Sequence, residues 1–324
     1  MNLNARFGLI VILIMSPIMA QAGGDGTSAA EILRLARPAR DMGMGEAQAA
    51  TGMGPGAIAS NPAGLINTRM ATLHFTHVLQ AADTQQEYLA WAQKLPFGPA
   101  LGISVFWMYN NGTERTMEDS SGNYSGKAGE YAVGFGAISA AIAVDLKDII
   151  GLDLLRPSAG VTVRAFSQQI DDMRNKGASA DLGLRLRPGL GFCVAAVLQN
   201  AGNKVGGAGL PRQWVLAGGW EYSGLLAGND SISLEADFPI SSDQQGVSMA
   251  GIEYAFAAGE TICAVRCGMK QGFDIPGGAG LTGGLGFRRS AGTFAWGLDY
   301  AYQPYGVFGA IQALALTIGF QPEN

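Results

Sequence analysis

The chain has 324 residues, 48 of them glycine, with 15% charged residues, a net charge of −5 and a mean hydropathy of +0.16. Scarce charge and abundant glycine do not suit an ordinary soluble domain, and a mildly acidic balance without a basic stripe excludes a nucleic-acid-binding surface. Three cysteines, Cys193, Cys263 and Cys267, are an odd number, and the last two share one strand face about 13 Å apart, so they build no disulfide framework.

Residues 1–22 read as a removable signal peptide. Arg6 supplies the positive start, residues 7–19 form an apolar run broken by Ser16 and Pro17, and Ala20-Gln21-Ala22 is a small-x-small cleavage site that leaves Gly23 first. The run is shorter than the roughly 20 residues that span a bilayer. Residues 23–68 do not alternate. They are rich in Gly and Ala, carry Pro38, Pro55 and Pro62, and contain a short apolar stripe of Ile32, Leu33 and Leu35. Their Met-Gly repeats can thread a narrow space, which points to a compact segment held inside a larger structure.

From residue 69 to the end at 324 the pattern has period two, the signature of strands. Ile232, Leu234, Ala236 and Phe238 oppose Ser231, Ser233, Glu235 and Asp237; Leu314, Leu316, Ile318 and Phe320 oppose Ala313, Ala315, Thr317 and Gly319. The second face is mostly Gly, Ala, Ser and Thr with sparse charge, which suits a crowded barrel interior better than a water-facing sheet. Aromatics gather near segment ends (Trp107 and Tyr109; Tyr300 and Tyr302), as in membrane-interface girdles. The expected fold is therefore all-β: a transmembrane antiparallel β-barrel of about 14 strands with an N-terminal hatch.

The expected strands are 69–79, 84–95, 98–109, 130–144, 159–170, 177–188, 190–200, 213–222, 230–239, 245–257, 261–270, 279–289, 292–303 and 310–320, with 146–155 as a short helix at a turn. Segments of about ten residues fit tilted membrane strands. An even count places both termini in the periplasm of an outer-membrane protein. The polar stretches 110–129 and 223–229 are then expected outside. The inward charged set includes Arg164, Asp181, Arg185, Glu221, Glu235, Asp237, Glu253, Arg266 and Asp299. Outer-membrane lipid is the surrounding partner, and a terminal strand ending in Phe320 carries the aromatic residue that barrel-assembly machinery reads.

Two motifs precede the strands: Arg40-Asp41-Met42-Gly43-Met44-Gly45-Glu46-Ala47 and Asn61-Pro62-Ala63-Gly64-Leu65. With Gly26-Thr27-Ser28-Ala29-Ala30, Ala178-Ser179-Ala180-Asp181-Leu182-Gly183-Leu184, Val197-Leu198-Gln199-Asn200-Ala201-Gly202 and Leu210-Pro211, the chain resembles the PorV/PorQ family of outer-membrane proteins. That family is similar in turn to FadL-type transporters, which carry an Asn-Pro-Ala motif in an N-terminal hatch. The resemblance implies that Arg40, Met44, Gly45, Asn61, Pro62, Ala63, Gly64 and Leu65 form a hatch motif. Physically, Asn61 is held extended before Pro62 and its amide can bond backbone, while Ala63 and Gly64 permit close approach. Arg40 needs an acidic partner inside a barrel, for which Glu235, Asp237 and Asp299 are candidates.

The sequence offers no catalytic constellation and no cofactor or metal site. His74 and His77 fall on opposite strand faces, and there is no Gly-x-Ser-x-Gly elbow or Walker loop. Two non-enzymatic functions follow from the resemblance. One is a part in type IX-like protein secretion through contacts with exported cargo or a translocon; the other is passive transport of a hydrophobic ligand, which implies a lateral opening.

Overall fold

A computed structural model describes residues 27–320 other than 70, 82, 97, 227, 244–246 and 273–279. The signal-peptide reading of 1–22 lies outside the described residues. Fourteen strands follow in order: β1 (Ala71–Leu79), β2 (Gln85–Lys94), β3 (Ala100–Glu118), β4 (Tyr124–Asp145), β5 (Ser158–Ile170), β6 (Met173–Gly189) and β7 (Phe192–Gly202). The second half comprises β8 (Gln213–Ser223), β9 (Asp230–Ser241), β10 (Ser248–Ala258), β11 (Thr261–Gln271), β12 (Leu281–Ala291), β13 (Phe294–Pro304) and β14 (Ala310–Phe320). Each pairs antiparallel with its sequence neighbours, and β1 pairs with β14 from Ala71↔Phe320 to Leu79↔Gln312, closing a barrel. Closure leaves no unpaired sheet edge within the wall, the condition for crossing hydrocarbon with strands. Alternation decides the faces: Ile103, Val163, Leu184, Leu285 and Leu314 are exposed on the outside, whereas Thr76, Ser139, Thr162 and Ala315 are buried within.

Two expectations about turns need correction. Residues 110–129 are not a loop, because β3 and β4 continue through them as a hairpin that turns at 119–123. Its Gly-rich, polar composition hides the period because neither face is buried. Residues 224–229 follow an even-numbered strand, so they lie at the rim where β1 begins and β14 ends (the terminal rim), opposite the β3–β4 hairpin (the hairpin rim). The 146–155 turn carries one helical turn, Lys147–Ile150.

Residues 27–68 run through the interior from one rim to the other. At the hairpin rim the Ala29 N–H donates to Gly209 O at 2.7 Å, and Ser28 donates to Asp243. The first described residues are therefore at the rim opposite Phe320, while the chain ends themselves lie outside the described residues. The chain then forms a short helix, α1 (Ala39–Gly43), packed on β11–β14. A 3-10 segment at Gly54–Ile58 meets β1–β4 and another at Pro62–Asn67 meets β2–β6, before Thr68 leads into β1. Met44, Ala47, Ala50, Ile58, Ala63 and Leu65 are all at most 1% exposed. The wall accepts this plug by removing side chains where the two backbones meet. A Cβ at Gly183 would fall on Asn61 Oδ1, and one at Gly268 would fall on the Met44–Gly45 peptide.

Candidate functional site

The motif residues separate into two contacts on opposite walls. Arg40, on α1, donates Nε and Nη2 to the two oxygens of Glu253, both at 2.9 Å, and Nη1 to Gln48 Oε1 at 2.6 Å. Its partner is thus Glu253, not Glu235, Asp237 or Asp299. α1 itself packs on β11–β14, and the long Arg40 side chain reaches from it to β10. Asp299 is taken by Arg266 at 2.7 Å, and Arg266 also reaches Glu253 at 2.5 Å, so the chain Arg40–Glu253–Arg266–Asp299 crosses from plug to wall. Met44 is fully buried beside Gly251, and Gly45, at φ 65°, donates its N–H to Thr282 Oγ1 at 2.9 Å.

Glu235 and Asp237 have another task. Asp237 Oδ2 accepts the N–H groups of Gln48 and Ala49, each at 3.0 Å. Glu235 accepts those of Ala50 at 2.5 Å and Thr51 at 3.2 Å, and the Thr51 hydroxyl. Two wall carboxylates therefore satisfy four successive backbone donors of the plug, which otherwise would be stranded away from water. Two to three strands along the wall, on β6 and β7, Arg185 donates to Gly52 O at 3.0 Å, and Gln199 to Ser60 O at 2.7 Å. The inward face of these residues was legible from alternation. Their pairing with plug backbone had no sequence signal.

On the second contact Asn61 caps the Pro62–Asn67 turn. Its Oδ1 accepts the Ala63 N–H at 3.0 Å, and its Nδ2 donates to Ala49 O at 2.7 Å, tying the two plug layers together. Pro62 starts the turn, Gly64 packs against the Gly52 carbonyl, and Leu65 is buried near Gly102 of β3. Phe320 is elsewhere: it is exposed on the outer wall at the terminal rim, with its ring 5.4 Å from that of Phe294.

Two acids of the plug and rim have displaced pKa values of opposite sign. Burial pushes the Asp41 carboxyl up to about 7 despite Arg40 and Arg37 nearby. At the hairpin rim burial also opposes ionisation of Asp243, but hydrogen bonds from Arg34 (2.9 Å) and Ser28 outweigh it and hold the carboxyl at about 2.

The wall on the β2–β7 side carries a trough and, between β6 and β7, an irregularity. An outward-facing apolar trough of about 890 Å³ follows two cross-strand rows, Trp91–Ile103–Ala140–Val163–Ala180 and Leu89–Val105–Ile138–Ala165–Ala178. Ser104, Ser139 and Ser179 are the small buried residues behind it. At its end the β6–β7 ladder is interrupted between Ala180 and Leu182. Asn200, at φ 57°, forms the bulge, and its N–H is accepted by Asp181 at 2.7 Å instead of by a ladder carbonyl. Behind this break Arg164 bonds Asp181 at 2.9 Å, Asn200 Oδ1 at 3.0 Å and Ser179 at 3.3 Å, while Asn200 Nδ2 reaches Pro211 O at 3.2 Å. The sequence motifs around Asp181, Asn200 and Pro211 thus converge on one buried polar knot. On the lumenal side, towards the hairpin rim, Phe106, Phe135 and Phe166 stand in series with centroids 5.8 and 5.7 Å apart, packed in one apolar cluster with Leu33, Val205 and Leu210.

No family model and no curated protein matches the sequence. Solved structures do match in fold. A deltaS2S3 mutant of the TodX monoaromatic hydrocarbon channel superposes with a TM-score of 0.59 at 10% identity, covering 87% of this chain and 98% of that one. The CymD monoaromatic hydrocarbon channel gives 0.58 at 11% identity, covering 90% and 99%. The Ralstonia pickettii toluene transporter TbuX gives 0.58 at 12%, covering 88% and 98%. The chain shares the closed outer-membrane-type barrel of these channels. Nothing in these comparisons supports the PorV/PorQ resemblance, so the secretion role that it implied is not carried forward as the main reading.

Proposed function

We propose that this protein is a passive outer-membrane channel for small hydrophobic molecules, with residues 27–68 as its plug. In this reading the β3–β4 hairpin faces outside, the terminal rim faces the periplasm, and Phe320 is read by the barrel-assembly machinery. The likeness in fold to hydrocarbon channels favours transport over the secretion reading. The observation that carries it is the break at Asp181 and Asn200. There the wall lacks one ladder step, and the polar knot of Arg164, Asp181 and Asn200 stands between an apolar outer trough and an apolar lumenal cluster towards the hairpin rim. A solute entering at the hairpin rim would pass the phenylalanine series and leave sideways through this point into hydrocarbon.

The test is uptake of a radiolabelled monoaromatic hydrocarbon by cells lacking their own hydrophobic channels. Expression of the protein should give saturable uptake. A double cysteine variant at the pair bordering the break, Ala180→Cys with Ala201→Cys, oxidised to form a bridge, should abolish uptake and reduction should restore it. Uptake no greater than in empty cells, with stoichiometric secreted proteins co-purifying instead, would return the secretion reading.

A further inference from the structure

The outer face of β3–β6 changes chemistry abruptly above the trough. The next two rows towards the hairpin rim are Trp107–Gly136–Ser167–Lys176 and Tyr109–Gly134–Gln169–Arg174, paired in the same register as the apolar rows below. Within one row spacing, hydrocarbon gives way to hydroxyl, amide and cation. At the centre of both rows stands glycine, and neither Gly134 nor Gly136 has any atom within 4 Å of where a Cβ would lie. Bare backbone between Trp107 and Tyr109 on one side and Ser167 and Gln169 on the other makes a notch that runs into the trough without a step. Arg174 and Lys176 are exposed at its far edge. Arg174 gives Nη2 to Gln169 at 2.6 Å, and the fork has four further N–H donors.

The nearby carboxylates do not cancel these cations. Glu87 lies beyond Trp107 and is bonded to His77 at 2.7 Å, and Asp171 pairs with Arg115 at 2.5 Å. Asp172 sits in the turn above, farther from the trough than Arg174. The site is thus amphipathic along one line: aromatic and cationic at the level of head groups, apolar at the level of chains. Indole and phenol rings favour that boundary, and a cation near a lipid surface is worth about 1 kcal/mol towards anionic head groups.

We propose that this notch and trough bind one phosphorylated glycolipid of the outer leaflet, of lipid A type. Acyl chains lie in the two apolar rows, and a phosphate sits against Lys176 and Arg174. The breadth of the trough, which spans β1 to β7, suits a lipid with several chains rather than one. A phosphate monoester, with its charge of about −1.5 to −2, suits two cations. The leaflet follows from the orientation proposed above; the binding itself does not require that the protein transports anything.

Native mass spectrometry of the detergent-purified protein tests this with added lipid A, its dephosphorylated form, phosphatidylglycerol and phosphatidylethanolamine. The expected result is one retained lipid A, with retention falling about thirtyfold for each of Lys176→Glu and Arg174→Glu, from two such surface terms per charge reversal. Lys176→Arg should restore it, and Arg289→Glu, at the opposite rim, should leave it unchanged. Ala165→Trp fills the trough from an exposed position and should displace the lipid without touching the cations. Equal retention by the charge-reversed variants, or a preference for phosphatidylglycerol over lipid A, overturns the proposal. Because every readout is mass retention by a barrel that still shifts on heating, a failed uptake assay would leave this result standing.

Discussion

The plug is attached differently to the two halves of the barrel. Against β8–β12 it is held by charge: Glu235 and Asp237 accept four backbone donors, Arg40 is clamped by Glu253, and Lys270 bonds Glu46 at 2.8 Å. Against β2–β5 the contacts are uncharged: Ile58 and Leu65 lie against Gly102, the Pro62–Ala63 backbone lies against Gly160, and Gln86, Tyr88 and Thr162 donate to the carbonyls of Leu35, Pro55 and Ile58. Charged, directional contacts fix position in a low-dielectric interior and are costly to break singly; small-residue packing can slide. The trough lies on the packed half and the β6–β7 break at its end. The molecule therefore has a fixed side and a yielding side, and the route proposed for solutes runs along the yielding one.

The contrast is broken most severely by Glu235→Leu. This leaves the Ala50 and Thr51 donors buried without acceptors, and the expected cost is about 3–5 kcal/mol. It should appear as a large drop in the temperature at which the barrel loses its heat-shifted gel mobility, and as protease access to residues 47–52. A barrel as stable as the parent would show that the plug backbone finds other partners.

Next in size is a pH effect centred on Asp41. Burial raises its pKa from 3.8 to about 7, so the folded state holds a proton that the unfolded state has already released. The plug seat is accordingly favoured below pH 3.8 and weakens as pH rises towards about 7, by about 2–4 kcal/mol, after which the curve is flat. Asp41→Asn should remove that slope from the pH profile of plug protection in hydrogen exchange. Arg40→Met follows at about 2 kcal/mol, because Glu253 keeps Arg266 at 2.5 Å after the plug cation is lost. A cost above 4 kcal/mol would mean that Arg266 cannot hold Glu253 alone.

How far the sequence revealed this arrangement differs between wall and plug. All 14 strands were legible, most ends within a few residues, because burial on one face only imposes period two. The exceptions were β3, β4 and the start of β6, whose outer parts are wet on both faces and show no period. The inward direction of Glu253, Glu235 and Arg266 was equally legible. Which of them met Arg40 was not, since that depends on the height at which a non-alternating segment crosses fourteen strands. Asp181, Asn200 and Pro211 were visible as motif residues; only the bulge, a backbone event, showed that they close a gap together.

On the packed side, Asn61→Ala should cost about 1 kcal/mol, the usual price of a lost cap, because it also unties Ala49 from the Pro62–Asn67 turn. Loosening on the yielding half should raise leakage of small solutes more than an equally destabilising change at Arg40 does. Conductance of both variants in planar bilayers, at matched thermal stability, measures this directly. Equal leakage, or none from either, would remove the distinction between the two halves.

The smallest effect belongs to the clasp at the hairpin rim, where Asp243 joins Ser28 and Arg34. Its carboxyl is depressed from 3.8 to about 2, so the clasp contributes fully above pH 3.8 and is lost as pH falls through about 2. This slope opposes that of Asp41, which makes the two separable in one titration. Protection of the Ala29 amide, bonded to Gly209 O, should decline only below about pH 3.8, while protection around Asp41 rises as pH falls from about 7 to 3.8 and is level below that. Asp243→Asn should abolish the first trend and leave the second intact. The clasp is partly open to solvent, so salt should weaken it as well. If Ala29 instead loses protection in step with the α1 amides, the plug leaves its seat as one body, and the rim contact is not an independent catch.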